Sequence, residues 1–513
     1  MKDSRSKKRI VVSVLGIAVG MSLVLAGCAD TGSTGGQEDD SKLVVAIPAE
    51  PDTMNVMKSN ADVLINWVGP NVAERLATRS FDPDEIVPTL ATGWEQIAPT
   101  EWEITLREGV MFSNGSEMTA ADAVASIKFG ISPDSSIYST YWPTVADARE
   151  TGEYSFVIET TAVDPVLFRR LPFISVLPAD TLDDGYLASE VIGTGPYTLN
   201  SWQRGQSIIF DRNPDYWGDE PQFESVEFQI RAEPSVRADA LRTGEADIAL
   251  LIDPEQADGL PQVLSSSGTE VAMFKLNTTG QADGSIMTDE RVRLAVNHAI
   301  DREALVESLF AGYAELPHGQ LNPITMNGTD PSIEDYSYDP DLARKLLAEA
   351  GAEGATVTMT TPSGNPWQKT DELVQATAGY LEAVGLKPEI LTLDYNEWLR
   401  QHRTHRDGGD APDMFVLFVG NEFFDSTMKG MGDFVSGSWL IEDAELTNIA
   451  QQVIVESDLA KRVELSQEAW RYAHEHAYLF PLVAPEKLYG AAENIEWNIR
   501  PDGMLLLQQI RRN

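Results

Sequence analysis

Cysteine is almost absent from this chain, because its 513 residues contain only Cys28. A single thiol cannot form an internal disulfide, and it cannot supply the several thiolates of a structural zinc site. Stability must therefore come from burying apolar surface. A chain of this length supplies ample core, and length alone suggests about three domains.

Positive charge is also scarce. The sequence holds 38 lysine and arginine residues against 80 aspartate and glutamate residues, so its formal net charge is -42. Such a chain repels phosphate backbones, which argues against nucleic-acid binding. The acidity could instead favour cationic ligands, or it could keep a secreted protein in solution. Because the acidic residues are spread along the chain rather than gathered in one run, we favour the second interpretation.

The motifs of common catalytic sites are missing. The sequence contains no G-x-S-x-G, no G-x-x-x-x-G-K-[ST] and no H-E-x-x-H. Gly193-Thr194-Gly195 suggests a phosphate-binding loop, but Pro196 removes a backbone donor there, and a tight turn fits better. Paired carboxylates are too frequent in so acidic a chain to indicate glycosidase chemistry. We therefore expect a protein that is not an enzyme and that uses no cofactor.

Histidine offers one possible metal site. His402 and His405 lie three residues apart, and Asp407 and Asp410 follow them. Imidazole and carboxylate ligands together suit several metal ions. The intervening Gly408-Gly409 and the density of charge favour a solvated loop instead, so we expect no bound metal.

A hydrophobic run of membrane-spanning length is missing as well. The stretch from Ile10 to Leu25 has 16 residues, short of the ~20 that a spanning helix needs. Basic residues precede it and small residues follow it, which is the order of a secretory signal peptide over residues 1–27. Leu25-Ala26-Gly27-Cys28 resembles the lipobox of bacterial lipoproteins. This resemblance implies that Cys28 is acylated and holds the protein at the outer face of the cell membrane.

The chain beyond Cys28 divides into a linker and a globular body. Residues 28–41 comprise the acylated cysteine and a small, polar, acidic segment that is predicted to form a flexible linker spanning roughly 20 Å. The apolar run at 43–47 is typical of a buried strand. Strands and helices then alternate, which indicates an α/β protein with large helical content. The further predicted strands are 101–107, 155–160, 207–211, 226–231, 271–277, 356–361 and 414–419.

Several helices carry clear start and stop signals. A polar residue that can accept a backbone hydrogen bond precedes each of four stretches of helix-forming residues. The predicted N-caps are Thr119, Asp289, Asp301 and Asp339. Gly312 and Gly351 are predicted to end the helices that start at the last two caps, because glycine adopts the left-handed conformation of a helix end at little cost.

Segments from residue 193 onward resemble one family when taken together and in order. They are Gly193–Tyr197 (GTGPY), Asn213–Gly218 (NPDYWG), Arg237–Ile248 (RADALRTGEADI), Phe274–Thr279 leading into Asp289–Arg302, and Tyr338–Gly351. Each segment alone is weak, but the series resembles the extracellular solute-binding protein family 5. That family comprises the oligopeptide- and dipeptide-binding components of ABC importers.

The resemblance implies a fold and a domain organisation. The implied fold is a two-lobed α/β periplasmic-binding-protein-like fold of type II, with an extra inserted subdomain and a ligand cleft between lobes that close on the ligand. The implied boundaries are 42–71, 176–273 and 487–513 for lobe I, 72–175 for the inserted subdomain, and 274–486 for lobe II.

The resemblance also implies a ligand site, with one departure. In peptide-binding members, an aspartate shortly after a Gly-Trp step in lobe II pairs with the free amine of the peptide. Here Phe418 stands in place of that tryptophan and Asn421 in place of that aspartate. A neutral asparagine cannot give an ammonium the same charge-assisted hydrogen bond, although Glu422 or Asp425 could substitute. The candidate ligand contacts are Asn277, Trp398, Phe418, Asn421, Asp425 and Trp439.

The leading functional hypothesis is therefore a lipid-anchored, monomeric binding protein. It would capture a peptide or similar polar solute and deliver it to an ABC permease with its ATPase subunits. A non-peptide solute, such as an oligosaccharide, an opine or a metal chelate, is an alternative. Two further alternatives are an extracellular hydrolase, suggested by the carboxylates and aromatic residues, and a sensory or adhesive lipoprotein that kept the fold.

Overall fold

The computed structural model describes most of the chain after residue 39. The residues described are 40–59, 61–82, 84–132, 135, 140–280, 284–364, 367–404, 412–436 and 441–513. The predicted signal peptide, Cys28, most of the predicted linker, His405 and Trp439 lie outside the described residues. Residues 40–513 form one compact unit. Within the described part of the chain, none of the helices combines the length and the hydrophobicity that crossing a bilayer requires.

Strands are distributed along the whole described chain. In chain order they are β1 (Lys42–Ile47), β2 (Ala77–Arg79), β3 (Ile86–Pro88), β4 (Ala91–Ala98), β5 (Glu101–Leu106), β6 (Val145–Gly152), β7 (Ser155–Thr160), β8 (Tyr197–Gln203), β9 (Ser207–Arg212), β10 (Ser225–Ile230), β11 (Ile248–Ala249), β12 (Gln262–Ser267), β13 (Glu270–Leu276), β14 (Ala314–Glu315), β15 (Thr356–Pro362), β16 (Lys387–Leu393), β17 (Met414–Gly420), β18 (Leu479–Ala491), β19 (Ile495–Glu496) and β20 (Arg511–Arg512).

Helices alternate with these strands, mainly in the second half. They are α1 (Gly69–Val72), α2 (Ala120–Gly130), α3 (Asp184–Leu187), α4 (Pro234–Thr243), α5 (Glu290–His298), α6 (Arg302–Phe310), α7 (Pro340–Ala350), α8 (Thr370–Ala383), α9 (Tyr395–Thr404), α10 (Lys429–Ser436), α11 (Ala444–Val455) and α12 (Leu459–Glu475). A 3-10 helix at Leu167–Phe173 and a π-helix at Val63–Val68 lie in the first half of the chain.

One large mixed sheet joins the two halves of the chain. Its order is β16-β15-β17-β13-β18-β11-β1-β10-β9-β8, and β12 and β14 also pair with β18. A separate four-stranded sheet with the order β4-β5-β7-β6 is formed by the segment between β1 and β8. The mixture of parallel and antiparallel strands with many helices confirms the predicted α/β class.

The predicted strands are confirmed to within one residue at each end. The segments at 43–47, 101–107 and 414–419 become β1, β5 and β17. These segments are short, rich in β-branched and apolar residues, and bounded by polar or turn-forming residues. Such a local pattern is sufficient to predict a strand, although not the neighbour with which it pairs.

The predicted helix starts are also confirmed. Asp301 and Asp339 each accept a backbone hydrogen bond, at 2.9 Å, from Ala304 and Leu342 respectively. Asp289 caps α5 in the same way, and Thr119 begins α2 as part of a capping box. These side chains satisfy amide groups that have no partner within the helix.

The helix ends differ slightly from the prediction. Gly351 ends α7 in the left-handed conformation, as expected, with φ of 69°. After α6, the first left-handed residue is Ala311, with φ of 51°, one position before the predicted Gly312. Gly312 is itself left-handed, with φ of 85°. The turn therefore needs two successive left-handed residues, and glycine occupies the second.

Two main hydrophobic cores lie on either side of β18. The first is built from side chains between Leu43 and Leu250, together with C-terminal residues such as Leu505 and Leu507. The second is built from side chains between Ala272 and Val483. A further cluster, which includes Trp398 and Trp470, packs beside the second core.

Strand β18 contributes to both cores. Its first part pairs with β13 and places Phe480 and Leu482 in the second core. Its last part pairs with β11 and β12 and places Tyr489 and Ala491 in the first core. The middle of β18 therefore marks the boundary between the two halves of the molecule.

Two of the family-like sequence segments meet at one buried carboxylate in the first half. Glu74 accepts hydrogen bonds from the Thr194 hydroxyl at 2.8 Å, the Tyr216 hydroxyl at 3.1 Å and the Trp217 indole N–H at 2.7 Å. Burial raises the pKa of Glu74 to about 7, although the three donors and Arg107 act to lower it. The segments around residues 194 and 216 are thus both hydrogen-bonded to the Glu74 carboxylate.

We expect Glu74→Gln to remove part of the pH dependence of stability. The pKa of Glu74 in the folded state, about 7, exceeds its ordinary value of 4.5. Its contribution to stability is therefore fully present below pH 4.5 and is lost as the pH rises through 7, by at most ~3 kcal/mol. Urea unfolding at pH 5 and pH 8.5 measures this. The free energy of unfolding should fall more in the wild type than in the variant, and equal falls would contradict the expectation.

Candidate functional site

A cavity of about 350 Å³ lies where the two halves of the molecule meet. The first half contributes Asp62 and residues 251–253 to its wall, and the second half contributes Trp367, Gln368 and Phe418. Glu270, the first residue of β13, lies at the junction of the two halves. Residues 485–488 of β18 close one side, at the boundary between the two cores. A space of this size between two separately packed halves is suited to a small ligand.

Aromatic rings form one wall of this cavity. Trp367 and Phe418 stack with their ring centroids 5.4 Å apart and their planes 8° from parallel. Behind them, Trp398 meets Trp367 edge to face at 5.5 Å and is 2% exposed. This packing fixes the Trp367 and Phe418 rings as a flat apolar surface, against which a ligand side chain or a cationic group can lie.

The charged lining of the cavity is mostly negative. The carboxylates are Asp62, Asp253, Glu270 and Glu486, whereas Lys487 supplies the single cationic side chain among the described lining residues. Burial raises the pKa of Glu270, and Lys487 acts against this shift. Burial also acts to lower the pKa of Lys487, but Asp62 and Glu270 outweigh it and hold that pKa above its ordinary value.

Lys487 balances several carboxylates at once rather than forming one tight pair. Its nearest ion-pair partner, Asp62, is 3.9 Å away. Glu270 and Glu422 are close to Gly420, since a Cβ on that glycine would lie 2.8 Å from the Glu422 carboxylate and 3.3 Å from the Glu270 side chain. The negative groups are thus held together by β17, β13 and β18.

A second cavity, of about 430 Å³, lies between the segment 140–170 and the region that follows β17. Asp164 and Arg170 line it from one side. Glu422, Lys429 and Arg462 line it from the other. Its charges are balanced, and most of its polar groups already interact with other groups of the protein. Arg462, for example, donates to the Thr427 hydroxyl at 2.8 Å and to the Val453 carbonyl at 2.6 Å.

The structure places the sequence-predicted contacts at different sites. Phe418 lines the first cavity. Trp398 lies behind that wall in the adjoining cluster. Asn277 is 1% exposed, and its backbone N–H donates to the Asp413 carbonyl at 2.9 Å. Trp439 lies outside the described residues.

Asn421 and Asp425 are both buried within the turn that follows β17. The Asn421 amide donates to the Asn322 side chain at 2.8 Å and to the Asp425 carbonyl at 3.1 Å. The Asp425 carboxylate lies 2.7 Å from the guanidinium of Arg169. As far as the described residues form the linings of the two cavities, Asn277, Trp398, Asn421 and Asp425 are not among them.

Sequence reasoning missed most of the cavity lining. Asp62, Glu270 and Lys487 come from three distant parts of the chain, and Trp367 stands in a loop between β15 and α8. In a chain with 80 acidic residues, no local signal distinguishes Glu270 from other glutamates. The charged pair Glu486-Lys487 within the otherwise apolar strand β18 is the signal that could have been used.

The described histidine and carboxylate side chains are scattered over the structure. Among the described residues, no three histidine, cysteine or acidic side chains are close enough together to hold a metal ion. His402, one of the residues considered for a metal site, stacks on Trp398 with ring centroids 5.5 Å apart. Its possible partners His405, Asp407 and Asp410 lie outside the described residues.

The sequence is similar to a known protein family and to individual proteins. The sequence model of the bacterial extracellular solute-binding proteins, family 5 (middle), matches residues 85–440. Di/tripeptide-binding protein 2 of Pseudomonas aeruginosa (strain UCBPP-PA14) is 25% identical over 506 residues, which cover 90% of this chain and 92% of that protein.

Solved structures of similar fold cover nearly the same part of the chain. NikA from Brucella suis, in complex with Fe(III)-EDTA, superposes with a TM-score of 0.80 at 22% sequence identity. The superposition covers 92% of this chain and 100% of NikA. The periplasmic binding protein DppA from Helicobacter pylori, in complex with the peptide STSA, gives a TM-score of 0.73 at 21% identity, over 92% of this chain and 98% of that one. At these identities the similarity shows the fold alone.

We expect Lys487→Met to destabilise the protein more at pH 8 than at pH 5. The substitution takes away the cation that balances the buried carboxylates around residue 487, which is costly. Lowering the pH relieves part of that cost, because burial raises the pKa of Glu270 and so favours its protonated form. The loss at pH 8 should be about 1–3 kcal/mol, because the lysine is partly exposed.

Urea unfolding of Lys487→Met, alone and combined with Glu270→Gln, measures this effect. The second substitution should recover part of the loss at pH 8. Lys461→Met is a matched control, since Lys461 pairs with Glu456 at the surface and should destabilise the protein less than Lys487→Met at either pH. A loss in Lys487→Met that does not depend on pH would contradict the electrostatic account.

Proposed function

Because this chain belongs to the bacterial extracellular solute-binding proteins of family 5, we propose that it captures a peptide or similar polar solute and delivers it to an ABC permease. The resemblance predicted from the sequence motifs is confirmed by the match over residues 85–440. The two-lobed α/β fold of type II is confirmed as well. Proteins of this family are extracytoplasmic solute-binding components of ABC importers, and solute-binding proteins are not enzymes.

The observation that carries the proposal is the cavity between the two halves of the molecule. It combines a flat aromatic wall, formed by Trp367 and Phe418, with the carboxylates of Asp62, Asp253 and Glu270. A peptide carries a free ammonium group beside a side chain of varied size. The carboxylates would attract the ammonium, and the rings would take apolar or cationic side chains.

If the ammonium group of the peptide binds in this cavity, a carboxylate is not needed at position 421, where this chain has a neutral asparagine. Asn421 is buried and occupied with Asn322 and the Asp425 carbonyl, so it offers no charge to a ligand. Glu270 lies at the start of β13, and the backbone N–H of Asn421 donates to the adjoining Thr269 carbonyl at 3.0 Å. We propose Glu270 as the carboxylate that receives the ammonium, and Phe418 as the sequence-predicted contact that touches the ligand.

A non-peptide solute is the second candidate. It is favoured by the absence of a carboxylate at position 421. The negative lining of the cavity would then select a cationic solute, because an anion would meet four carboxylates and one lysine.

We further propose the domain organisation implied by the family. Lobe I comprises 42–71, 176–273 and 487–513, the inserted subdomain 72–175, and lobe II 274–486. The position of β18 between the two cores supports a boundary near residue 487. Residues 1–27 act as signal peptide, Cys28 carries the lipid, and the linker to residue 41 lets a monomeric binder reach its permease while it stays attached to the membrane.

We expect a specific class of peptide to raise the melting temperature of the purified protein. At a ligand concentration of 100 times Kd, binding adds ~2.7 kcal/mol of stability. A panel of dipeptides with basic, neutral and acidic side chains, measured beside sugars and metal chelates, tests this. Basic or neutral peptides should stabilise more than acidic ones. Flat melting curves across the whole panel would contradict the proposed function.

In the same assay, Phe418→Ala should weaken binding of the stabilising peptide by about tenfold or more, because it removes one ring of the cavity wall. Phe434→Ala is the matched control. Phe434 is 3% exposed and packs edge to face on Trp470, away from the cavity. It should lower the melting temperature without changing the affinity. Equal affinity loss in both variants would indicate a general packing effect and not a ligand contact.

We expect Cys28→Ala to release the protein from its membrane attachment without affecting ligand affinity. Two acyl chains are needed for stable anchoring, and the thiol is their point of attachment. Fractionation of expressing cells and labelling with a palmitate analogue measure the first effect, and peptide binding by the purified protein measures the second. A variant that stays anchored by acyl chains and supports full uptake would overturn the proposed role of Cys28.

A further inference from the structure

A buried ion pair joins the segment that precedes β8 to the turn that follows β17. Nε of Arg169 lies 2.7 Å from Oδ2 of Asp425, and the two side chains are 8% and 1% exposed. Arg169 belongs to the 3-10 helix Leu167–Phe173, which packs into the first core. The turn that holds Asp425 continues from β17, which packs into the second core. The pair therefore connects the two halves of the molecule.

Aromatic contacts surround this ion pair. The ring of Phe423 packs edge to face against Tyr141 at 5.8 Å and against Phe173 at 5.4 Å, and it belongs to the first core although it follows β17. The guanidinium of Arg79 lies over the rings of both Phe173 and Phe424, at 5.9 Å and 5.4 Å. The two halves thus share a buried contact in which the charges of Arg169 and Asp425 face each other.

The turn that presents Asp425 is held rigidly. Phe424 adopts a left-handed conformation with φ of 53°, which is costly for a phenylalanine. The backbone N–H of Asn421 donates to the Thr269 carbonyl at 3.0 Å, and that of Ser426 donates to the Asn327 carbonyl at 2.8 Å. The surrounding structure therefore fixes the direction in which residues 423–425 face.

The two carboxylate oxygens of Asp425 have separate tasks. Oδ1 accepts hydrogen bonds from the Thr427 backbone N–H at 2.9 Å and from the Thr427 hydroxyl at 2.6 Å. Oδ2 faces Arg169. One oxygen thus maintains the local turn, and the other reaches across to the opposite half. Neither Arg169 nor Asp425 is among the described residues that line the two cavities.

We propose that the Arg169–Asp425 pair is the electrostatic contact that holds the two lobes closed, so that Asp425 sets the population of the closed form. This role differs from the direct ligand contact predicted for Asp425 from the sequence. When the lobes separate, both charges become hydrated, and each loses its partner. When the lobes close, the pair and the surrounding rings are buried together. Removing Asp425 leaves Arg169 with only Asp84, 3.9 Å away, and removing Arg169 takes the nearest cation from the buried Asp425 carboxylate, so either change opposes closure.

A change in the fraction of closed protein alters the apparent affinity for every ligand by the same factor. If only the closed form retains ligand, the apparent dissociation constant rises in inverse proportion to the fraction of closed protein. Asp425 would therefore be a positioning residue, acting through the lobes and not through contact with the ligand. The proposal rests on the closure that the proposed binding function requires, but it can be tested in protein that contains no ligand.

The chain provides a control for such a test. Asp330 has the same local arrangement as Asp425: Oδ1 accepts from the Ser332 backbone N–H at 2.9 Å and from its hydroxyl at 2.6 Å, and Oδ2 pairs with Arg471, although Arg471 is more exposed than Arg169. Asp330 is 3% exposed. Its partner on α12 belongs to the same half of the molecule, so its pair does not cross the cleft.

The test compares Asp425→Asn with Asp330→Asn by small-angle X-ray scattering without ligand. Asparagine keeps the Oδ1 acceptor of each turn and replaces Oδ2 with an NH₂ group that faces arginine. Asp425→Asn should increase the radius of gyration, and Asp330→Asn should leave it unchanged. An unchanged radius of gyration in Asp425→Asn, or an equal increase in both variants, would overturn the proposal.

Amide hydrogen exchange gives a second measurement on the same proteins. In Asp425→Asn, peptides around Phe173 and Phe423 should exchange at least about tenfold faster than in the wild type. In Asp330→Asn, faster exchange should be confined to the region around residues 320–332. Unaltered exchange at Phe173 and Phe423 in Asp425→Asn would contradict a closing role.

Variants of Arg169 keep the proposal testable if Asp425→Asn is poorly folded. Arg169→Met leaves the turn at Asp425 intact and should open the lobes to the same extent. The double variant Arg169→Met/Asp425→Asn should be no more open than either single variant, because the two residues act as one pair. Additive opening in the double variant would overturn the proposal. Since no ligand is present, these outcomes do not depend on which solute the protein binds.

Discussion

Strand β18 is the constraint on which the arrangement of the two halves depends. It is hydrogen-bonded to β13 in one half and to β11 and β12 in the other. A backbone ladder of this kind is directional, so it fixes the register of both halves relative to each other near the boundary. Far from β18, the distance between the two halves can change. Residues next to β18 keep their relative positions. The cavity wall formed by residues 485–488 is therefore the least movable part of the site.

The negative charge of the cleft follows from this geometry. Glu270 lies at the start of β13 and Lys487 lies within β18, so pairing of the strands brings them to the same boundary. Burying several carboxylates around one lysine is costly without a further cation. A binding protein can use such a site, because a cationic ligand reduces the cost when it enters. The described lining of the cleft thus carries more negative than positive charge.

Local features of this fold could be predicted from the sequence, and long-range ones could not. Asp301 and Asp339 were predictable N-caps because a cap and its helix are adjacent in the chain. The family motifs were sufficient for the fold class. The Arg169–Asp425 pair carries no comparable signal, since many arginines and aspartates are present and only the tertiary fold selects these two. Phe418 was predicted because the family motif fixed its position, whereas Glu270 and Lys487 belong to no motif.

The C-terminal part of the chain has a consequence for the order of folding. Residues 479–513 complete both cores: Phe480 and Leu482 fill the second, and Leu505 and Leu507 fill the first. The Asn71 side chain, near the start of the chain, bonds to the backbone of the last two, accepting at 2.9 Å from Leu507 and donating at 2.7 Å to Leu505. Neither half can reach its final packing before residues 479–507 are in place. The final packing of each half therefore depends on contacts between segments that lie far apart in the sequence.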